Sequence, residues 1–217
     1  KKGIMKKIGT VKTSKISNHF LAVDVADING NGRDEIFVTN QVGDNLQSFA
    51  LETKPKQKGF HYIWKDANHY FRVMRPMGKK PSLMSQSPGF QNPFQGPIKK
   101  VIFKNGKYRQ GPELNTPEVY GKHFILYGLT QQDLNRNGIT ETIVLDNNYH
   151  LRVYSSKGRL VVKSSDYYGH DPRMMDLGVK EEISGVIRQG EPVRFKGRLQ
   201  FAKVGGDRYL VVPMNHT

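Results

Sequence analysis

Asp27-Ile28-Asn29-Gly30-Asn31-Gly32-Arg33-Asp34-Glu35 returns downstream as Asp133-Leu134-Asn135-Arg136-Asn137-Gly138-Ile139-Thr140-Glu141. Both stretches carry oxygen-bearing side chains at positions 1, 3, 5 and 9, with glycine at position 6. Both then run into an apolar segment, Ile36-Phe37-Val38 or Ile143-Val144-Leu145. Alternate positions of so tight a loop point inward, and the glycine permits the sharp reversal. Oxygen donors spaced in this way suit a hard cation such as calcium, which takes about six to eight of them. A motif that recurs 106 residues later also implies a chain built from copies of one β-unit.

Strand signals spread outward from the two loops. Phe20-Leu21-Ala22-Val23 leads into the first, and residues 123–129 lead into the second. Phe60, Tyr62 and Trp64 alternate with His61 and Ile63, the period of a pleated strand, and residues 70–74 read as another. Asn105-Gly106 between residues 98–103 and 107–109 is the strongest short hairpin signal. Asp146-Asn147-Asn148 and Lys157-Gly158 punctuate a meander through residues 142–145, 151–154 and 160–162. The helix signal is confined to a short turn at residues 174–179. Residues 76–97, rich in Pro, Gly, Ser and Gln, read as an insertion. Residues 199–213 repeat strand, glycine turn and strand without spaced carboxylates, so a degenerate third copy without an ion is expected there.

Composition narrows the function classes. The 217 residues are read as one all-β region. The first residue is Lys, so the start is expected to be internal or processed. Zero cysteines exclude disulfides, thiol catalysis and thiolate metal sites. No apolar run reaches the ~18 residues that would mark a membrane-spanning helix.

The net charge of +15 is unevenly placed. Lys1, Lys2, Lys6, Lys7, Lys12 and Lys15 stand without an acid, and residues 54–80 set eight cations against Asp66. Such an excess attracts polyanions, or it forms a solvated face that keeps the chain soluble. Lys65, Arg72, Arg75, Lys79 and Lys80, interleaved with aromatics, are the candidate polyanion contacts. Alternating aromatics on strands are more often core. Seven histidines, among them His61, His69, His123, His150 and His170, lack zinc-ligand spacing. No nucleophile elbow, P-loop or dinucleotide fingerprint occurs.

Each loop sets out its own ligand list. Asp27, Asn29 and Asn31, the carbonyl of Arg33 and Glu35 would form the first shell. Asp133, Asn135, Asn137, the carbonyl of Ile139 and Glu141 would form the second. The same residues also make ordinary Asx-rich turns, which need no ion because Asn and Asp bond nearby amides.

Residues 23–36 and 129–144 resemble the FG-GAP and VCBS-type repeats of β-propeller blades, including the calcium blades of integrin α-subunits. The resemblance implies an all-β partial or incomplete propeller of about three to four antiparallel four-stranded blades with calcium (Ca2+) loops. Blade motifs fall near 20–40 and 123–146, with the degenerate one near 199–213. Family loops carry more aspartates. Here positions 3 and 5 are asparagine, which leaves two ligand carboxylates per loop and weakens the expected calcium affinity.

The resemblance also implies a non-catalytic, bacterial-like extracytoplasmic module (periplasmic, cell-surface or secreted) that scaffolds or binds protein or glycan. Further blades would come from unseen sequence or another chain. A basic binder of nucleic acid or acidic glycan is the first alternative, and a propeller-fold hydrolase or lyase the second.

Overall fold

The computed structural model describes residues 9–11, 18–43, 45–54, 59–89, 96–114, 124–146, 148–168, 174–175, 180–183, 186–189, 193–194 and 198–212. Among these residues the chain is all-β, every strand pairing is antiparallel, and no helix is long and apolar enough to cross a membrane.

Three four-stranded meanders follow one another. The first runs β1 (Asn18–Ala26), β2 (Glu35–Val42), β4 (Ser48–Thr53) and β5 (Phe60–Ala67), with the short β3 (Asn45–Leu46) appended to β2. The second is β6 (Tyr70–Met74), β7 (Ser82–Gln86), β8 (Ile98–Lys104) and β9 (Lys107–Glu113). A 3-10 turn at Leu126–Gly128 then enters the third: β10 (Leu129–Gln132), β11 (Glu141–Leu145), β12 (His150–Tyr154) and β13 (Leu160–Tyr167). Beyond it β14 (Met174–Met175) pairs with β17 (Val193–Arg194), and β15 (Lys180–Ile183) with β16 (Val186–Gln189). The hairpin β18 (Gln200–Val204) and β19 (Asp207–Val211) ends the described chain.

Alternation along each strand produces the layering. On β6, Phe71 and Val73 join Phe37 and Ala50 of the first sheet, whereas Tyr70 and Met74 join Leu129, Val144 and Tyr154 of the third. On β11, Val144 faces the second sheet, while Ile143 and Leu145 pack with Leu199, Phe201 and Leu210 at the last hairpin. Strands β6 and β7 of the second sheet and β10 and β11 of the third are thus covered on both faces, which is why polar residues within them, such as Ser85 and Thr142, are buried.

Several expectations are met: the strands flanking the first loop, the strand leaving the second, the meander after Asp146, and the glycine-turn hairpin at the end. Asn105 (φ 53°) and Gly106 (φ 73°) both take the left-handed conformation that a two-residue hairpin turn demands. Others need correction. Residues 76–97 are not merely an insertion, because they contain β7, an interior strand of the second sheet. Strand β4 carried no recognised signal. The expected strand at 123–129 is instead irregular at Phe124 and Ile125, then the 3-10 turn, with the strand starting at Leu129. Met174–Met175 is strand rather than helix, and 176–179 lie outside the described residues.

The aromatic alternation of β5 is also broken. Leu51 pairs with Tyr62 and Ala50 with Trp64, so Ile63 is an extra residue, a bulge. The bulge shifts the parity: Phe60 and Tyr62 pack beside Val38 and Phe49, while Trp64 packs beside Phe71 on the opposite face and stacks on Tyr108.

Candidate cation loops and their surroundings

Residues 27–34 join β1 to β2 and residues 133–140 join β10 to β11, each linking the first two strands of its sheet. Ala26 pairs with Glu35 and Gln132 with Glu141, so the two loops are closed in the same register. Five hydrogen bonds recur between them. The first-position carboxylate accepts the sixth-position amide through Oδ2 (Gly32 to Asp27, 2.9 Å; Gly138 to Asp133, 2.9 Å). Its Oδ1 accepts the fifth-position amide, Asn31 or Asn137, at 3.1 Å in both. Asn29 and Asn135 accept from the amides of Asn31 and Asn137 (2.9 and 3.1 Å). Asn31 and Asn137 accept from those of Arg33 and Ile139 (2.9 and 2.8 Å). The ninth-position glutamate reaches back to the second-position amide, Glu35 to Ile28 at 2.7 Å and Glu141 to Leu134 at 2.9 Å. Gly32 (φ 82°) and Gly138 (φ 85°) occupy the left-handed region at the reversal.

The surroundings differ. In the first loop, Glu52 of β4 takes Asn29 Nδ2 (3.1 Å) and Asn31 Nδ2 (2.6 Å) on one oxygen and the Arg33 guanidinium (2.6 Å) on the other. Burial raises the Glu52 carboxyl, but the bonds from Arg33, Asn31 and Asn29 together outweigh it and hold the group below the usual range. Glu35 goes the other way. Burial pushes it up, against the bonds from the Ile28 amide, the Tyr108 hydroxyl and the Asn29 amide, and the Asp27 charge adds to the rise. The Tyr108 hydroxyl is buried beside Glu35, and burial first, then the charge and hydrogen bonding of Glu35, raise it. In the second loop Glu141 Oε1 accepts Asn135 Nδ2 (3.2 Å) and no carboxylate corresponds to Glu52. Position 4 is Arg136, at φ 60°, where the first loop has Gly30 at φ 78°.

The donor set matches calcium in kind. Each oxygen that accepts one amide keeps a lone pair open to a cation. It is sparse in charge: among the described residues no three Asp, Glu, His or Cys side chains converge. Asp27, Asn29, Asn31, Arg33 and Glu35 do come together, as do Asp133, Asn135, Asn137, Ile139 and Glu141, and hydrogen bonds within each loop satisfy most of their polar atoms.

The polyanion candidates do not form one surface. Arg72 is buried, donating to the carbonyls of Leu126, Tyr127 and Leu199; burial, and next the Arg198 charge, pull its guanidinium down to about 10. It is therefore withdrawn from any groove, because its position on β6 faces the third sheet. Arg75 is exposed and donates to the Val25 carbonyl. Lys65 lies over the Tyr62 ring at 4.7 Å. Lys79 donates to the Gly138 carbonyl, and Lys80 is exposed. His69 is half-buried beside Ser87, and burial lowers it. His150 is buried against Tyr167, whereas His123 and His170 lie outside the described residues.

A cleft of about 1080 Å³ opens where the first-to-second-strand connections of the second and third sheets meet the last hairpin. Arg136, Lys203, Arg208 and Tyr209 line it, and sequence reading singled out none of them. Comparison of the chain with family models, curated proteins and solved structures yields no match.

Proposed function

We propose that the chain is a run of β-propeller blades stapled by calcium, serving as a non-catalytic binding or scaffold module outside the cytoplasm. The observation that carries this reading is the recurrence of five hydrogen bonds in two loops that begin 106 residues apart, each closed in the same strand register. The resemblance to calcium-blade repeats supports it. So does the order of three four-stranded meanders, each packed on the next. In a propeller those meanders are blades. The first blade would hold its ion through Asp27, Asn29, Asn31, the Arg33 carbonyl and Glu35, and the third through Asp133, Asn135, Asn137, the Ile139 carbonyl and Glu141. The ion supplies charge neutralisation at the turn and fixes two strands together.

Thermal unfolding with calcium, with magnesium and with chelator tests the proposal. A ligand confined to the native state at 100 times its Kd stabilises by about 2.7 kcal/mol. For a chain of this size that raises Tm by roughly 5–10 °C. The shift is expected with calcium and is expected to vanish in the double variant Asp27→Ala, Asp133→Ala. An unchanged midpoint in the parent protein at millimolar calcium rejects the ion and leaves the loops as Asx turns.

A further inference from the structure

We propose that the cleft bounded by residues 77–78, residues 133–136 and the β18–β19 hairpin binds an acidic oligosaccharide, a carboxylated or sulfated sugar chain. This rests on the binding-module reading and deepens it by naming a ligand class; Asp133 belongs both to the cleft and to the second cation loop, so the test is run with and without chelator. Loops on one end of a rigid β-scaffold are where binding sites concentrate. Here the Met77 amide is pinned to Gln132 Oε1 at 2.8 Å and Lys79 to the Gly138 carbonyl, so the second and third sheets present their loops as one wall. The hairpin supplies the opposite wall.

Charge and shape select the ligand. Arg136, Lys203 and Arg208 line the cleft, and Lys79 stands beside it on its neighbouring loop. Arginine forks match carboxylate and sulfate oxygens. Tyr209, about half exposed at 51%, offers a flat apolar face with a polar end, suited to a sugar ring.

Two carboxylates, Asp133 and Asp207, are set among the cations. They accept hydroxyl hydrogens, which a sugar chain offers and a deoxyribose phosphodiester backbone does not. A single exposed ring is also too little for successive base stacking.

Arg136 gives a second line of argument. It holds a left-handed backbone (φ 60°) at the position where the equivalent loop uses glycine. A side chain there strains the backbone, and this one lines the cleft wall. Strain of this kind collects at ligand sites.

The probes are an oligogalacturonate hexamer, a heparin-derived hexasaccharide, neutral maltohexaose and a ten-residue oligothymidylate. Each is titrated into the full chain by calorimetry, with and without chelator. At least one acidic sugar is expected to bind, weakening with salt; both carry carboxylates, so binding of the heparin fragment alone assigns the recognition to sulfate. Arg136→Gly relieves the left-handed strain, so its Tm is expected to equal or exceed that of the parent. It should nevertheless weaken sugar binding about ten- to hundredfold, the loss of one charge-assisted contact. Lys107→Ala, which removes a cation from a distant hairpin, should change nothing.

Binding that persists in chelator supports the cleft even if the calcium proposal fails. Failure of both acidic sugars overturns the cleft proposal. So does maltohexaose or oligothymidylate binding as tightly, or Arg136→Gly binding like the parent.

Discussion

Asp146 closes β11 and is almost wholly buried, yet each of its oxygens is spoken for. Oδ1 accepts the amides of Asn148 (2.8 Å) and His150 (3.0 Å), and Oδ2 accepts Arg152 Nε at 2.6 Å. Burial raises the carboxyl, but the Arg152 bond and the two amides together outweigh it and hold the group below its ordinary 3.8. A depressed native value means that the unfolded chain binds the proton more tightly. The stabilisation is therefore complete well above pH 3.8 and drains away as pH falls below it through the native value. Asp146→Asn keeps an acceptor for the amides but leaves Arg152 without its anion. We expect it to lower stability near pH 7 by about 1.5–3 kcal/mol, and to flatten the acid limb of the pH–stability curve below pH 4. Urea titrations from pH 2.5 to 7 measure both. Parallel acid limbs for parent and variant would show that Asp146 is not held ionised by Arg152.

At the scale of elements, β7 separates what pattern can reveal from what it cannot. Ser82-Leu83-Met84-Ser85-Gln86 has two apolar residues side by side instead of alternating, amid Pro and Gly, so it carries neither strand period nor strand composition. It is a strand because both its faces are covered. Leu83 enters the layer shared with the first sheet, and Met84 the layer shared with the third. Gln86 is fully buried but satisfied by the Leu126 amide (2.9 Å) and the Phe124 and Gly96 carbonyls (2.8 and 3.0 Å).

Leu83→Ala and Met84→Ala are each expected to cost about 2–5 kcal/mol in chemical denaturation, a loss that a surface excursion would not show. Strand β4 escaped for a related reason, since the polar Glu52 within it is held by the Arg33 and asparagine side chains of a distant loop. The repeated loops and the Asn105-Gly106 hairpin were legible because their chemistry is local: backbone reversal, side-chain oxygens and glycine all lie within nine residues. The Ile63 bulge was not, because strand parity is set by the partner strand.

At the scale of the molecule, Arg72 joins parts of the chain that no local pattern could connect. From β6 it bonds the carbonyls of Leu126 and Tyr127, at the entry to the third sheet, and that of Leu199, at the entry to the last hairpin. Next door, Arg198 reaches Asp24 of β1 at 2.8 Å, and Asp24 accepts the Val73 amide of β6 at 3.1 Å. The three large sheets and the final hairpin therefore meet at one polar knot. The knot is specific where the apolar layers are not, because layers of Leu, Val and Phe tolerate sliding while a guanidinium fork fixes positions.

Arg72→Met fills similar volume but strips three buried carbonyls of their donor, each worth about 1–3 kcal/mol, so a loss above roughly 3 kcal/mol is expected. Arg72→Lys should rescue little, since a compact ammonium cannot span carbonyls on two segments. The more telling measurement is cooperativity. Trp64 fluorescence reports the interface of the first two sheets, and hydrogen exchange at β18 reports the hairpin. The two should unfold together in the parent and separately in Arg72→Met, with the hairpin opening first. Coincident transitions in the variant would mean that the apolar layers alone couple the sheets, and the knot would then contribute position without cooperativity.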